Sequence, residues 1–100
     1  MHYEIQQLIP VAEPWVLLKY QATTDLDRDP NPDVVDVIGF ALSSQRIFPV
    51  VANEAALQID DDWTTVAVLP LRVYDRDRYR ANAVAKKLYL SRLRERAKPK

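Results

Sequence analysis

RVYDRDRYRANAVAKKLYLSRLRERAKPK, residues 72–100, decides how the rest of the chain is read. The stretch has no glycine and meets its first proline only at Pro99. Its Ala, Leu, Arg and Lys residues lose little side-chain freedom on entering a helix. One long helix over residues 77–96 is therefore predicted, with Asp75 or Asp77 placed to accept from its first free backbone N–H groups. Winding it at about 100° per residue puts Ala81, Val84, Ala85 and Leu88 on one side and Tyr79, Ala83, Leu90 and Leu93 on another. Arg76, Arg80, Lys87 and Arg94 fall between the two as a basic stripe. A single apolar stripe is enough to dock a helix on its own domain. The second asks for a second partner, either another part of this chain or another copy of it.

The same stretch holds eleven of the fourteen basic residues and three of the fourteen acidic ones, Asp75, Asp77 and Glu95, so it carries about +8. Residues 1–71 carry about −8. Overall neutrality thus conceals a chain divided into an acidic body and a basic helix and tail.

The acidic body reads as strands and turns. Residues 3–9 alternate loosely, with Tyr3 and Ile5 on one side, and Pro10 ends this first strand. Pro14 restarts the chain. Over residues 15–22, Val16, Leu18, Tyr20 and Ala22 share a face opposite Trp15, Leu17, Lys19 and Gln21, the pattern of a strand packed on both sides at one end. Residues 34–42 are largely β-branched and apolar, with a lone Gly39 of the kind that marks a bulge or a close backbone approach. After a turn at Ser43, Ser44 and Gln45, residues 47–52 return as a hairpin partner, and Pro49, lacking a donor, directs that strand to a sheet edge or a bulge. Asn53 is placed to cap a single helical turn at 54–57, with an extended 57–59 as the other reading. Asp60, Asp61 and Asp62 make a polar turn, and residues 64–69 form a further strand with room to run past Pro70 to Val73.

Strands arriving on short turns, followed by one long helix, predict an α+β fold: an antiparallel sheet of four or five strands with one long C-terminal helix packed on one face. One hundred residues suit a single small domain, with residues 1–71 as a mainly β body and residues 72–100 as the basic helix and tail. A content of 48% apolar and 28% charged residues is that of a globular chain rather than a disordered one. The absence of cysteine excludes disulfides, thiolate metal sites and cysteine nucleophiles. No cationic leader followed by an apolar run opens the chain, and no apolar stretch approaches the roughly 20 residues of a membrane span, so a cytoplasmic location and no membrane partner are expected.

Asp25, Asp27, Asp29, Asn31, Asp33 and Asp36 alternate along DLDRDPNPDVVD, residues 25–36. The segment resembles the calcium loop of EF-hand proteins, and the resemblance implies oxygen ligation of Ca²⁺ by these six residues. It departs from that loop at Pro30, which stands where a glycine makes the sharp turn, at Asp36, which is shorter than the usual bidentate Glu, and in flanks that read as strands. A solvated acidic hairpin loop is the competing reading.

Catalytic inventory is thin. His2 is the only histidine, Ser43 and Ser44 have no histidine near them in sequence, and no Gly-rich loop cradles a phosphate, so neither an enzyme nor a bound cofactor is expected. The leading expectation is a small protein-interaction or regulatory module that self-associates through the C-terminal helix, with Tyr79, Ala83, Leu90, Leu93, Trp15 and Trp63 at the interface. The alternative is RNA or DNA binding, with Arg76, Arg80, Lys87 and Arg94 on phosphates, Arg78, Lys86, Arg92 and Arg96 supporting them, and Tyr79 or Tyr89 stacking on bases. An isoelectric point near 6.6 and the acidic body oppose it.

Overall fold

A computed structural model describes residues 7–21, 26–28, 30–43, 46–53, 56–60 and 62–97. Among these the chain forms β1 (Gln7–Lys19), β2 (Asp33–Ser43), β3 (Arg46–Asn53), β4 (Ala56–Ile59) and β5 (Thr65–Pro70), followed by α1 (Leu71–Arg76) and α2 (Arg78–Ala97). The strands make one antiparallel sheet in the order β4-β3-β2-β1-β5. The fold is α+β, as the pattern of strands and helix predicts, but the C-terminal helical region is two helices rather than one.

The two strands expected before and after the Pro10–Pro14 segment are a single strand, β1. Prolines interrupt its ladder without ending it: Pro10 still pairs with Gly39 and Trp15 already pairs with Val37, so four residues of β1 face the single Ile38 of β2. Two of the residues at this irregularity lack a backbone donor, which is why the shift falls there. Gly39 fits the same spot. A Cβ added to it would come 2.9 Å from the carbonyl oxygen of Ile9, so the close approach of the two backbones requires glycine. Residues 3–6 of the expected first strand lie outside the described residues.

β3 is not an edge strand, because β4 pairs with its outer side. Pro49 is tolerated there because its partner strand stops short of it. Val50 pairs with Ile59, the last residue of β4, and the next backbone N–H, that of Asp60, donates to the Pro49 carbonyl at 2.8 Å. The donor that proline lacks would point past the end of the ladder. The helical turn expected after Asn53 is replaced by a hairpin, with Asn53 paired to Ala56 across Glu54 and Ala55, which lie outside the described residues. Local capping by Asn53 loses to the continuous β3–β4 ladder, a tertiary override of a short helical signal.

β5 ends at Pro70 instead of continuing to Val73. Tyr74 accounts for the change: winding 71–76 into α1 places its ring in the core at 3% exposure, with its hydroxyl donating to Asn82 Oδ1 at 2.9 Å. Asp77 breaks the helix and caps the next one, its backbone extended at φ −154° and its Oδ1 accepting from the Arg80 N–H at 3.0 Å.

Core packing follows the double-sided reading of residues 15–22. Val16, Leu17 and Leu18 are all buried, because β1 sits between β2 and β5 with side chains packed on both of its faces. Val16, Leu18 and Tyr20 join Val66, Tyr74, Ala85 and Tyr89 in one cluster, while Leu17 joins Val37 and Val51 in another. The first cluster is centred on aromatic stacking. Tyr89 lies 4.5 Å from Tyr20 and 5.7 Å from Trp63, centroid to centroid, with both pairs near parallel, an arrangement worth about 0.5–1.5 kcal/mol per pair beyond the area buried.

Candidate protein-interaction surface

Side chains of α2 divide by direction. Ala85 and Tyr89 point into the first cluster, and Ala81 and Leu93 flank them at its margin. Arg92 points the same way: its Nη1 donates to the carbonyls of Trp63 at 2.8 Å and Thr65 at 2.6 Å, at the start of the edge strand β5. Arg96 lies over the Trp63 ring, 4.3 Å from its centroid. Arg78 pairs with Asp75 and sits over Tyr74.

On the outward side, Tyr79 is 88% exposed and Val84 60%, with Ala83, Leu88 and Leu90 also exposed. Arg80, Lys87 and Arg94 share that side at seven-residue spacing, with Arg76 at the end of α1. None of these four cations makes an ion pair with a described residue. Two depressions flank them. An open groove of about 510 Å³ runs between β5, α1 and α2, lined by Leu69, Val73, Ala81 and Val84 with Arg76 and Arg80 among its walls. A second, on the helix surface alone, is formed by Leu90, Leu93, Arg94 and Ala97.

The residues expected at an interface are thus dispersed. Tyr79, Ala83 and Leu90 are on the outward side of α2, and Leu93 lies half-buried at the core margin. Trp15 packs edge-to-face on Phe40 at 5.4 Å, beside Leu17 and Val37. Trp63 stacks on Tyr89, so both tryptophans are engaged within the chain. Of the groups considered for nucleic acid, Tyr89 is 1% exposed and has no face to offer a base, and Arg92 and Arg96 are held by backbone and ring. Periodicity placed Tyr89 on neither apolar stripe. Its position opposite Lys87 and Arg94, next to Ala85 of the first stripe and Arg92, was the available signal that this side of the helix is the buried one.

Asp27 and Asp33 of the acidic loop are exposed, Asp33 opens β2, and Asp36 is already within that strand, paired to Val16. Asn31 is exposed, and Asp25 and Asp29 lie outside the described residues. Among the described residues no three carboxylate or histidine groups converge as a metal site. The loop is tied to the core by Leu26, which packs on the first cluster, and by the Tyr20 hydroxyl, which donates to the Pro30 carbonyl at 2.8 Å.

The 60–62 turn is more than solvated polar chain. Lys19 Nζ reaches Asp60 at 3.1 Å and Asp62 at 3.6 Å, and the Thr65 hydroxyl donates to Asp60 at 2.6 Å. Burial raises the Asp62 carboxyl, but the Thr64 backbone N–H and the Lys19 ammonium outweigh it and hold the group below the usual carboxylate range. These contacts fasten the turn before β5 to the end of β1.

The fold is that of a small α+β protein with one antiparallel sheet and two helices, and the exposed side of α2 carries apolar groups and cations that make no ion pair with a described residue. Comparison with family models, with curated proteins and with solved structures finds no match to this chain. Among the described residues no helix is long and apolar enough to cross a membrane.

Proposed function

We propose that this protein is a small non-enzymatic interaction module that self-associates through the outward side of its C-terminal helix, α2 lying across the β1 and β5 part of one sheet face. The observation that carries the reading is the exposure of Tyr79, Val84, Leu88 and Leu90 on a helix whose opposite side is already packed. Apolar groups flanking a row of cations on both sides support a contact surface over a merely solvated face. At 100 residues, the buried fraction of one copy is modest, and association would add to it.

RNA or DNA binding is the second reading, supported by the alignment of Arg80, Lys87 and Arg94 at about 10.5 Å intervals along α2. It leaves the apolar side chains between those cations without a role, and the acidic body repels a polyanion.

Measuring molecular mass against concentration tests the first reading. The wild type should approach twice the monomer mass, and Leu90→Asp should remain monomeric while keeping its circular-dichroism spectrum. A wild type that stays monomeric but shifts with oligonucleotide at low salt, and loses the shift when Arg80, Lys87 and Arg94 become Ala, would replace it with the second.

A further inference from the structure

We infer that the surface receiving α2 of a second copy is the outward stripe Val34, Asp36 and Ile38 of β2, an inference that rests on the self-association reading above. The sheet itself identifies this stripe. Cross-strand partners on β5, β1 and β2 form two rows on one face: Ala67, Leu18 and Val34, then Leu69, Val16 and Asp36. In both rows the middle residue is buried beneath α2, since Leu18 and Val16 share a cluster with Ala85 and Tyr89. One strand further on, the cover ends: Val34 is 45% exposed, Asp36 is exposed, and Ile38, next on the same side of β2, is 40% exposed. The helical layer spans two strands of a face whose apolar side chains continue onto a third at Val34 and Ile38.

Charge identifies the occupant. Asp36 stands between Val34 and Ile38, so the bare stripe alternates apolar, acidic and apolar groups along one strand. The outward side of α2 carries apolar and basic groups side by side, with Val84, Leu88 and Leu90 beside Arg80, Lys87 and Arg94, and those cations make no ion pair with a described residue. The same complementarity holds at the scale of the chain, with about −8 on residues 1–71 and about +8 on residues 72–100. A second copy brings both halves at once. Because the net charge is zero, two copies meet without long-range repulsion, and a two-fold axis lets each copy donate its helix and present its β2 stripe. The partner's helix then completes the layer that α2 begins.

The test measures the dimer dissociation constant of the full-length protein by sedimentation, for the wild type, Val34→Arg, Ile38→Arg, Asp36→Lys and Leu90→Asp. All four positions are exposed, and melting curves check that each variant folds. The expected result is a dissociation constant raised at least tenfold by Val34→Arg and by Asp36→Lys, with a wild-type affinity that falls as salt rises. Should Ile38→Arg fail to fold, Val34→Arg and Asp36→Lys carry the test. If Leu90→Asp is monomeric while folded Val34→Arg and Asp36→Lys dimerise like the wild type, the β2 stripe is not the acceptor and only the helix reading survives. A wild type that is monomeric at every concentration, or whose mass rises only when an oligonucleotide is added, overturns both.

Discussion

Tyr89 and Tyr79 stand on the same helix ten residues apart, as do Arg92 and Arg94 two residues apart, yet each pair is divided between two environments. Tyr89 is 1% exposed between Tyr20 and Trp63, while Tyr79 is 88% exposed. Arg92 holds two carbonyls of the β5 edge, while Arg94 has no ion-pair partner among the described residues and lines a surface depression. Residue type therefore does not assign role on α2. Direction relative to the buried cluster does, and the two sides separate a buried set from an exposed one.

Removing the two tyrosines in turn is the strongest way to break this division. Tyr89→Ala opens a cavity where one ring contacts two others, and should cost about 3–5 kcal/mol in urea unfolding, as large aromatic deletions from cores do. Tyr79→Ala should change stability by no more than about 0.5 kcal/mol, as exposed positions do. Equal effects from the two would mean that the sides of α2 are not distinct.

A smaller contrast separates the arginines. Arg92→Met keeps most of the stem but leaves the Trp63 and Thr65 carbonyls without that donor, a loss of about 1–2 kcal/mol by thermal or urea unfolding. Arg94→Met should leave folding unchanged and act on association alone. An unchanged melting curve for Arg92→Met would show that solvent serves those carbonyls equally well.

The smallest effect concerns the turn that fastens β5 to β1. Because the folded Asp62 carboxyl is held below its ordinary range, its contribution to stability is present above the unfolded carboxylate pKa and is lost as pH falls through the folded value. Melting temperature should decline on acidification below roughly pH 4, and Asp62→Asn should lower it at neutral pH while flattening that acid limb. Superimposable acid limbs for the two proteins would show that the Lys19 and Thr64 contacts to Asp62 do not stabilise the fold.

How legible these regions are in the sequence varies with the range of the interactions that form them. Alternation and β-branching over 34–42, 47–52 and 64–69 mark strands that the structure contains within a residue or two, and the glycine-free run after Asp77 marks α2. Gly39 signals a close approach before the partner is known, because only a missing Cβ lets the Ile9 carbonyl come so near. Prolines mislead in both directions. Pro10 and Pro14 read as strand ends yet lie inside β1, and Pro49 reads as an edge residue yet lies in an interior strand, since its consequence depends on whether a partner N–H or C=O faces it.

What the sequence by itself determines is the local part of this protein: β2, β3 and β5, α2 with Asp75 or Asp77 at its start, and the separation of charge between residues 1–71 and 72–100. Periodicity and propensity are properties of a few neighbouring residues, so they survive without knowledge of the fold. Tertiary structure alone decides that Ala85 and Tyr89 are the buried residues of α2, that Tyr74 draws residues 71–76 into a helix, and that both tryptophans are engaged internally. Those outcomes turn on stacking of Tyr20 with Tyr89 across 69 positions of sequence and on carbonyls at a sheet edge, contacts that no short window contains. They also leave Val34 and Ile38 exposed on β2 while Leu18 and Val16, the neighbours of Val34 and Asp36 on β1, are buried, a contrast that exists only once β5, β1 and β2 lie side by side.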